Sequence, residues 1–232
     1  MKNLVFAAIS LLPLSAAGVI DIQPQVVELQ QVNTVVTVIN HGMTAEYITV
    51  QLYRLNNPGV ASELESLTPV GYQQQPLLFA TPLKLTLGPR QSGKIFLHAL
   101  GAPEQEQVYR LAVVPSNHLK ISGNNTAVVG VQISYMGLIR HLPASIQHQW
   151  THRCIAGKPE LHNTGNTRLY WHQLQAQGQM IDDFTLYPGR YRQLAFNELQ
   201  GKVEDQAVNL QCLRASLLVI SYQQIYLHQE EG

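Results

Sequence analysis

Charged residues are scarce in this sequence. Asp, Glu, Lys and Arg make up 13% of the chain, about half of the ~25% that is usual in globular proteins. The formal net charge is +0, and no block of like charge occurs. Nucleic acids and anionic membrane surfaces are therefore not expected as partners, because both are bound through clustered positive charge.

Long apolar runs are missing beyond the N-terminus. There, Lys2 is followed by the apolar run Leu4–Leu14 and by the small residues Ser15-Ala16-Ala17, which is the pattern of a secretory signal peptide. This run is too short to span a bilayer, which takes about 20 residues. We expect residues 1–17 to be a signal peptide cleaved before Gly18, leaving an exported chain of 215 of the 232 residues without a membrane span.

Cysteine is nearly absent, with only Cys154 and Cys212 in the chain. In an oxidising exported compartment, such a pair most often forms one disulfide. Two buried free thiols are the alternative. A metal site is less favoured, because neither cysteine has another cysteine or a histidine nearby at zinc-finger spacing. We therefore expect a Cys154–Cys212 disulfide.

No helical stripe longer than two turns is found, and short runs of β-branched and aromatic residues recur between turn residues instead, which is typical of β-strands. The segment Asn56–Tyr72 reads as a loop. About seven strands in about 125 residues fit an immunoglobulin-like sandwich. The predicted strands are Val19–Leu29 (broken by Pro24), Asn33–Ile39, Glu46–Leu55, Leu77–Leu87, Ser92–Leu100, Gln107–Val114 and Ala127–Pro143.

A second, smaller β-domain is predicted after the boundary region Pro143–Gln149. We therefore expect an all-β fold of two immunoglobulin-like sandwiches in series, residues 18–145 and residues 146–232. The strands predicted for the second domain are Trp150–Ile155, Glu160–Asn163, Thr167–Gln175, Phe184–Tyr187, Tyr191–Asn197, Val208–Leu213 and Leu217–Leu227.

The segment Ala127–Pro143 is the longest predicted strand. Successive side chains of a strand point to opposite faces, so its branched apolar residues share one face with an aromatic residue. The residues of that face are Val129, Val131, Ile133, Tyr135 and Ile139, and those of the other face are Gly130, Gln132, Ser134, Met136, Leu138 and Arg140.

Several short motifs resemble, in order along the chain, those of the periplasmic chaperones of the chaperone–usher pathway for pili. Each motif is weak alone, since such turns are common in β-proteins, but their order and spacing strengthen the match. The matching segments are Ala80-Thr81-Pro82, Leu87–Ile95 (LGPRQSGKI), Glu106–Leu111 (EQVYRL) before Pro115, the long strand ending at Pro143, Leu161–Asn166 (LHNTGN) and Leu186–Gly189 (LYPG).

This resemblance implies a periplasmic protein that binds pilus subunits and passes them to an outer-membrane usher. The family lends a strand to the subunit, and counting back from Pro143 puts the donor residues at Val129, Val131 and Ile133, extended by Tyr135. An alternative stays open here: these residues can instead form the core of their own domain, since alternation does not say what covers a face.

One pair of positions departs from the family pattern. The family holds the subunit's C-terminal carboxylate with an arginine on the first strand and a lysine near the end of the donor strand, and those positions hold Gln25 and Leu138 here. Arg140 lies on the same face as Leu138 and can replace the missing cation as a carboxylate partner. A solvated rim residue is the alternative reading of Arg140.

Nothing in the sequence calls for catalysis or a cofactor. His148 and His152 have the i, i+4 spacing of a helical metal site, but their segment reads as strand, where residues four apart lie ~13 Å from each other. We therefore expect no enzyme activity, no cofactor and no metal. Two other functions remain: an exported pilus subunit or adhesin built from similar sandwiches, and an exported β-sandwich enzyme or metal binder.

Overall fold

The computed structural model of the chain describes residues 19–30, 33–116 and 135–212. Nearly all of its regular structure is β-strand, which confirms the predicted all-β fold. The chain divides into two compact units between Ile146 and Gln147. Among the described residues, none of the helices has the length and apolar character needed to cross a membrane.

The first unit is a sandwich of two sheets. In chain order its strands are β1 (Ile20–Gln23), β2 (Val26–Leu29), β3 (Thr34–Asn40), β4 (Glu46–Leu55), β5 (Leu67–Pro69), β6 (Leu78–Thr81), β7 (Lys84–Leu87), β8 (Ser92–Ala99), β9 (Gln107–Pro115) and β10 (Tyr135–His141). One sheet has the order β1-β3-β8-β6, and the other has the order β2-β10-β9-β4-β5, with β7 also paired to β4. All pairs are antiparallel except that of β2 with β10.

The core of this sandwich follows the alternation of the sequence. In β4, the alternate residues Ile48, Val50 and Leu52 are buried. Leu97 on β8 and Leu111 on β9 are fully buried in the same apolar cluster. Because each strand puts every second side chain into the layer between the sheets, burial of these residues stabilises both sheets together.

Two prolines mark the places where predicted strands divide. Pro24 separates β1 from β2, and these two strands belong to different sheets. Pro82 likewise lies between β6 and β7, which were predicted as one strand. Proline has no N–H for a strand ladder, so the chain changes sheets at these residues. The predicted loop Asn56–Tyr72 holds two 3-10 turns and the three-residue strand β5, which is too short for a pattern to reveal.

The second unit is also built from two sheets, as predicted. Its strands are β11 (Trp150–Ile155), β12 (Lys158–Asn163), β13 (Leu169–Ala176), β14 (Gln179–Ile181), β15 (Phe184–Leu186), β16 (Tyr191–Gln193), β17 (Glu198–Val203) and β18 (Gln206–Gln211). The sheets have the orders β11-β12-β16 and β14-β13-β17-β18, with β15 also paired to β13. Trp171 is fully buried at the centre of the core, and Trp150 meets it edge-on with ring centroids 5.0 Å apart.

Two of these strands, β14 and β17, were missed in the sequence. In β17 only Leu199 and Val203 point into the core, and the residues between them, including Gly201, are poor strand formers. Pairing with β13 and β18 makes the segment a strand in spite of this. The predicted strand Leu217–Leu227 lies outside the described residues.

The same asparagine turn closes a strand in each unit. Asn40 is fully buried at the end of β3; its side-chain Nδ2 donates to the carbonyls of Thr44 (2.8 Å) and Gly88 (2.9 Å), and its Oδ1 accepts from the N–H of Gly42 (2.8 Å). A buried amide with all of these groups satisfied fixes the path of the turn.

Asn163, at the end of β12, has the same set of partners. It donates to the carbonyls of Thr167 (2.8 Å) and Leu186 (2.7 Å) and accepts from the N–H of Gly165 (2.9 Å). Gly165 is required as glycine, because a Cβ there would lie 2.2 Å from the carbonyl oxygen of Gln147. The Asn-x-Gly triplets at these two turns are therefore structural signals.

The predicted disulfide between Cys154 and Cys212 is confirmed. The two Cα atoms are 5.6 Å apart, and 58 residues separate the cysteines in sequence. The bond joins β11 to the residue that follows β18, so it ties the edges of the two sheets of the second unit to each other.

We expect that replacing both cysteines, Cys154→Ser with Cys212→Ser, lowers the free energy of unfolding of the second unit by up to about 4 kcal/mol. The reason is that a loop of this length restricts the unfolded chain by roughly that amount. Urea unfolding followed through Trp150 and Trp171 fluorescence measures the change, and reduced wild-type protein should unfold at the same midpoint as the variant. An unchanged midpoint in the variant would contradict this structural role.

Candidate functional site

The candidate site is the open part of the edge of β10. On one side, β9 pairs with all of β10, from Tyr135 to His141. On the other side, β2 pairs only with Leu138–His141. Within the described part of the chain, no strand pairs with Tyr135–Gly137 on that side. The last strand of the first sandwich therefore begins with a free edge.

Hydrogen bonds at the two ends of β2 show which backbone groups face this edge. The N–H of Leu138 donates to the carbonyl of Gln25 (2.8 Å), and the N–H of Leu142 donates to the carbonyl of Leu29 (2.8 Å). Backbone groups of alternate residues point to the same side of a strand. The N–H and C=O of Met136 therefore point to the free edge, where they can pair with an added strand.

The two faces of β10 have different surroundings. Ile139 is fully buried in the core of the first sandwich, and Tyr135 is half-buried against the same core. On the opposite face, Met136 is 47% exposed and lies two residues before Leu138. The strand face that carries the predicted donor residues is therefore the face that packs against the core of the first sandwich from Tyr135 onward. Of those residues the structure places Tyr135, while Val129, Val131 and Ile133 lie outside the described residues.

The two positions that the family fills with cations are neighbours in space. Gln25 lies in the bend between β1 and β2, is exposed, and accepts the hydrogen bond from Leu138. Leu138 is half-buried and pairs in register with Val26, which is 54% exposed. Neither side chain can carry a positive charge, so these two positions supply no cation for a carboxylate.

Arg140 is buried and paired with two carboxylates. Its Nε donates to Oε1 of Glu106 (2.7 Å), whose side chain is fully buried, and its Nη1 donates to Oε1 of Glu28 on the neighbouring strand. The Arg140 side chain itself is 6% exposed, whereas that of Glu28 is 52% exposed. Arg140 therefore differs from the solvated rim residue considered above. Its role as a carboxylate anchor stays a prediction.

No pattern in the sequence assigned a role to Glu28 or Glu106. Glu28 is directly opposite Arg140 in the parallel register of β2 and β10, and Glu106 lies one residue before β9. This chain has few charges, so two acidic residues beside apolar strands were a signal for a buried ion pair. The reason is that a buried cation needs an opposite charge nearby. Their link to Arg140 could not be read without the strand pairing.

Comparison with known proteins supports the fold. No family model matches the chain, and a search of curated proteins finds no similar sequence. Solved structures do match. The class 5 fimbriae chaperone CfaA aligns over 84% of this chain and 99% of its own, with a TM-score of 0.66 and 22% identity.

Two further structures are similar. The E. coli chaperone DraB aligns over 79% of this chain and 89% of its own, with a TM-score of 0.53 and 16% identity. A chain of the CsuC–CsuE chaperone–tip adhesion subunit complex of Acinetobacter baumannii aligns over 83% of this chain and 97% of its own, with a TM-score of 0.53 and 14% identity. The chain has the fold of the fimbrial chaperones. The resemblance first seen in short motifs is thereby confirmed at the level of structure.

A buried polar cluster lies at the far end of β10 from the free edge. His141 is fully buried, and neither of its ring nitrogens has a hydrogen-bond partner of normal geometry. Arg54 on β4 lies over the ring of Tyr109, 5.3 Å from its centroid, and Tyr109 donates its hydroxyl hydrogen bond to Oε1 of Gln107 (2.6 Å). The sequence analysis did not find this cluster.

Burial lowers the pKa of His141 below its usual value of 6.5, and the positive charge of Arg54 lowers it further. The backbone of Gly101 raises this pKa by a smaller amount. Burial also lowers the pKa of Arg54 and raises that of Tyr109. Protonation of His141 would therefore place a second positive charge near Arg54 in a buried cluster, which is unfavourable.

The spacing of His148 and His152 raised the possibility of a metal site, but these residues are not part of a cluster of metal ligands. His152 is exposed on β11, and His148 precedes that strand. Within the described residues, no three side chains of His, Cys, Asp or Glu group closely enough to hold a metal ion.

We expect the first sandwich to lose stability as the pH falls below about 6.5. The folded state keeps His141 neutral because its pKa is lowered, while the unfolded chain takes up a proton, so the free energy of unfolding decreases toward acid pH. Hydrogen exchange at the amides of β9 and β10 between pH 7.5 and pH 5, corrected for the intrinsic pH dependence, measures the effect.

In a His141→Gln variant the decrease should be shallower, and the control His152→Gln should behave as the wild type because its ring is already exposed. Equal pH dependence in the wild type and in His141→Gln would show that His141 is not the group responsible.

Proposed function

We propose that this protein is a periplasmic chaperone that binds pilus subunits by lending them a strand and delivers them to an outer-membrane usher. The observation that carries this proposal is the free edge of β10 at Tyr135–Gly137. It directly follows the segment in which Val129, Val131 and Ile133 alternate with smaller or polar residues. The likeness to solved fimbrial chaperones supports it.

The physical basis is the pairing of two incomplete surfaces. A sandwich that lacks a strand exposes apolar core and unpaired backbone groups, and both favour aggregation. A donated strand supplies the missing hydrogen bonds, and its branched side chains enter the core. By alternation we expect Val129, Val131 and Ile133 to share the face of Tyr135, and burying three such side chains in a client contributes ~5–9 kcal/mol before ordering costs.

The alternative, a pilus subunit or adhesin, is less well supported. A subunit that receives a strand should lack the last strand of its sandwich. Here β10 is present between β2 and β9 and adds Ile139 to the core. The first sandwich is thus closed by its own strand, and the edge that remains free suits a donor.

We expect the double substitution Val131→Asp with Ile133→Asp to reduce the recovery of a co-expressed pilus subunit by at least about tenfold, because a buried carboxylate in the client's groove costs several kcal/mol. Affinity capture of the chaperone followed by quantification of bound subunit measures this. The matched control is Gln132→Asp with Ser134→Asp, which adds the same charge to the other face and should retain the subunit. Equal recovery with both variants would exclude the donor role.

Arg140 is the proposed partner of the client's terminal carboxylate, in place of the cations absent at Gln25 and Leu138. Such a site can open at Glu28. Glu28 is half exposed and bound to one nitrogen of Arg140, whereas Glu106 is buried and bound to another. A client carboxylate can replace Glu28 without disturbing the buried pair. Arg140→Ala is a poor test, because it removes the cation that pairs with the buried carboxylate of Glu106.

We therefore expect Glu28→Gln to strengthen subunit binding, since it removes the competing carboxylate and leaves Arg140 in position. The dissociation rate of a purified chaperone–subunit complex measures the effect, with a decrease of a few-fold expected. Glu104→Gln is the control, because it makes the same charge change at an exposed residue of the loop before β9. Faster dissociation in Glu28→Gln would show that Glu28 supports binding and that Arg140 is not the anchor.

A further inference from the structure

The second unit also has an open strand edge, on β11. This strand pairs with β12 on one side and is the outermost strand of its sheet. Within residues 135–212, no strand pairs with its other side. All six residues of β11 are half-buried or exposed, and the first of them, Trp150, packs against the core of the second unit. An edge of this length is a site for pairing with another strand.

The hydrogen bonds of β11 show which amides face the open side. The carbonyl of Gln149 accepts from the N–H groups of Thr164 (3.0 Å) and Gly165 (2.9 Å), so the backbone groups of residue 149 point toward β12. By alternation, those of Thr151 and Arg153 also face β12. The N–H and C=O groups of Trp150, His152 and Cys154 therefore face the open edge.

Apolar surface is incompletely covered on this side. Trp150 is only half-buried although it packs on Trp171, and Cys154 is exposed while its disulfide partner Cys212 is 1% exposed. The strand β18, which is an outer strand of the other sheet and leads directly to Cys212, differs from β11, because its inward residues Val208 and Leu210 are already buried. An added strand therefore gains more burial beside β11 than beside β18.

The disulfide places the chain next to this edge. Cys212 has its Cα atom 5.6 Å from that of Cys154, and 20 residues, 213–232, follow it. Within them, the segment Leu217–Leu227 has the composition of a strand. The four residues 213–216 reach ~13 Å when extended, enough to carry the chain around the end of β11 to its open side.

We propose that Leu217–Leu227 pairs with the open edge of β11 as an antiparallel strand. The direction follows from the disulfide: the segment starts near Cys154, at the end of β11, and can cover the strand only by running back toward Trp150. The chain's own C-terminal segment thus covers this edge, and the Cys154–Cys212 bond positions it. This inference is independent of the proposed chaperone function.

Hydrogen exchange resolved to single amides tests the proposal on the full, oxidised chain. The amides of His152 and Cys154 should exchange at least about tenfold more slowly in the full chain than in a chain ending at Ala215. The amides of Thr151 and Arg153, which face β12, are the internal control and should be protected in both chains. If His152 and Cys154 exchange equally fast in both chains, the proposal is wrong.

A second variant keeps the chain at full length. Val219→Pro with Ile220→Pro removes one N–H from the β11 side in either register, so it should release the His152 and Cys154 amides as truncation does. The matched control, Gln229→Pro with Glu230→Pro, lies beyond the segment and should leave them protected.

Two other outcomes would also overturn the proposal. Tail-dependent protection of Ala207, Asn209 and Gln211 in place of the β11 amides would put the segment on the outer edge of β18. Protection of β11 that increases with protein concentration would show that a second copy of the chain, and not the same chain's tail, covers this edge.

Discussion

The hydrogen-bonding demand of strand edges governs this molecule. Every strand has two edges, and each edge presents N–H and C=O groups that need partners. The first sandwich satisfies both edges of β10 from Leu138 onward, through β9 and β2, but only one edge before it. The change occurs at a single residue of β10, Leu138. This residue lies opposite the point where the Gln25 bend ends and β2 begins. Before Leu138, this edge of β10 has no partner among the described strands and can pair with another chain.

A buried ion pair holds this arrangement in register. Arg140 sits opposite Glu28 across the parallel β2–β10 pair and also reaches the buried Glu106 at the start of β9. Slipping β10 by one residue would move Arg140 to the core face and separate it from both Glu28 and Glu106. The three strands that define the free edge are therefore fixed relative to one another by one side chain. Three of the few charged residues in this chain therefore serve to fix the register of these strands.

The two units use the same devices with different connections. Asn40 and Asn163 close equivalent turns with the same set of hydrogen bonds, and each unit has a strand, β10 in the first and β11 in the second, with an edge that the described strands leave open in part or in full. In the first unit the open edge borders an alternating segment in the middle of the chain. In the second it borders a disulfide that leads into the C-terminal segment. The neighbouring sequence therefore favours different partners for the two edges: a client in the proposed function, and the chain's own C-terminal segment in the further proposal.

Local patterns in the sequence determined the class of fold, most of the strand positions and the disulfide pair. Period-two alternation in Glu46–Leu55 reports burial directly, and Pro24 breaks a strand through its own chemistry, so neither needs knowledge of the rest of the chain. Short or weakly patterned strands such as β5 and β17 exist only because neighbours pair with them, and sequence analysis missed them.

Tertiary structure alone decided the site. That Glu28, Glu106 and Arg140 meet, that Arg54 approaches Tyr109 near the buried His141, and that β2 stops short of Met136 all depend on strand register between segments up to 112 residues apart. Register is a property of pairs of strands, and a single strand's sequence carries the preference for a face but not the identity of its neighbour.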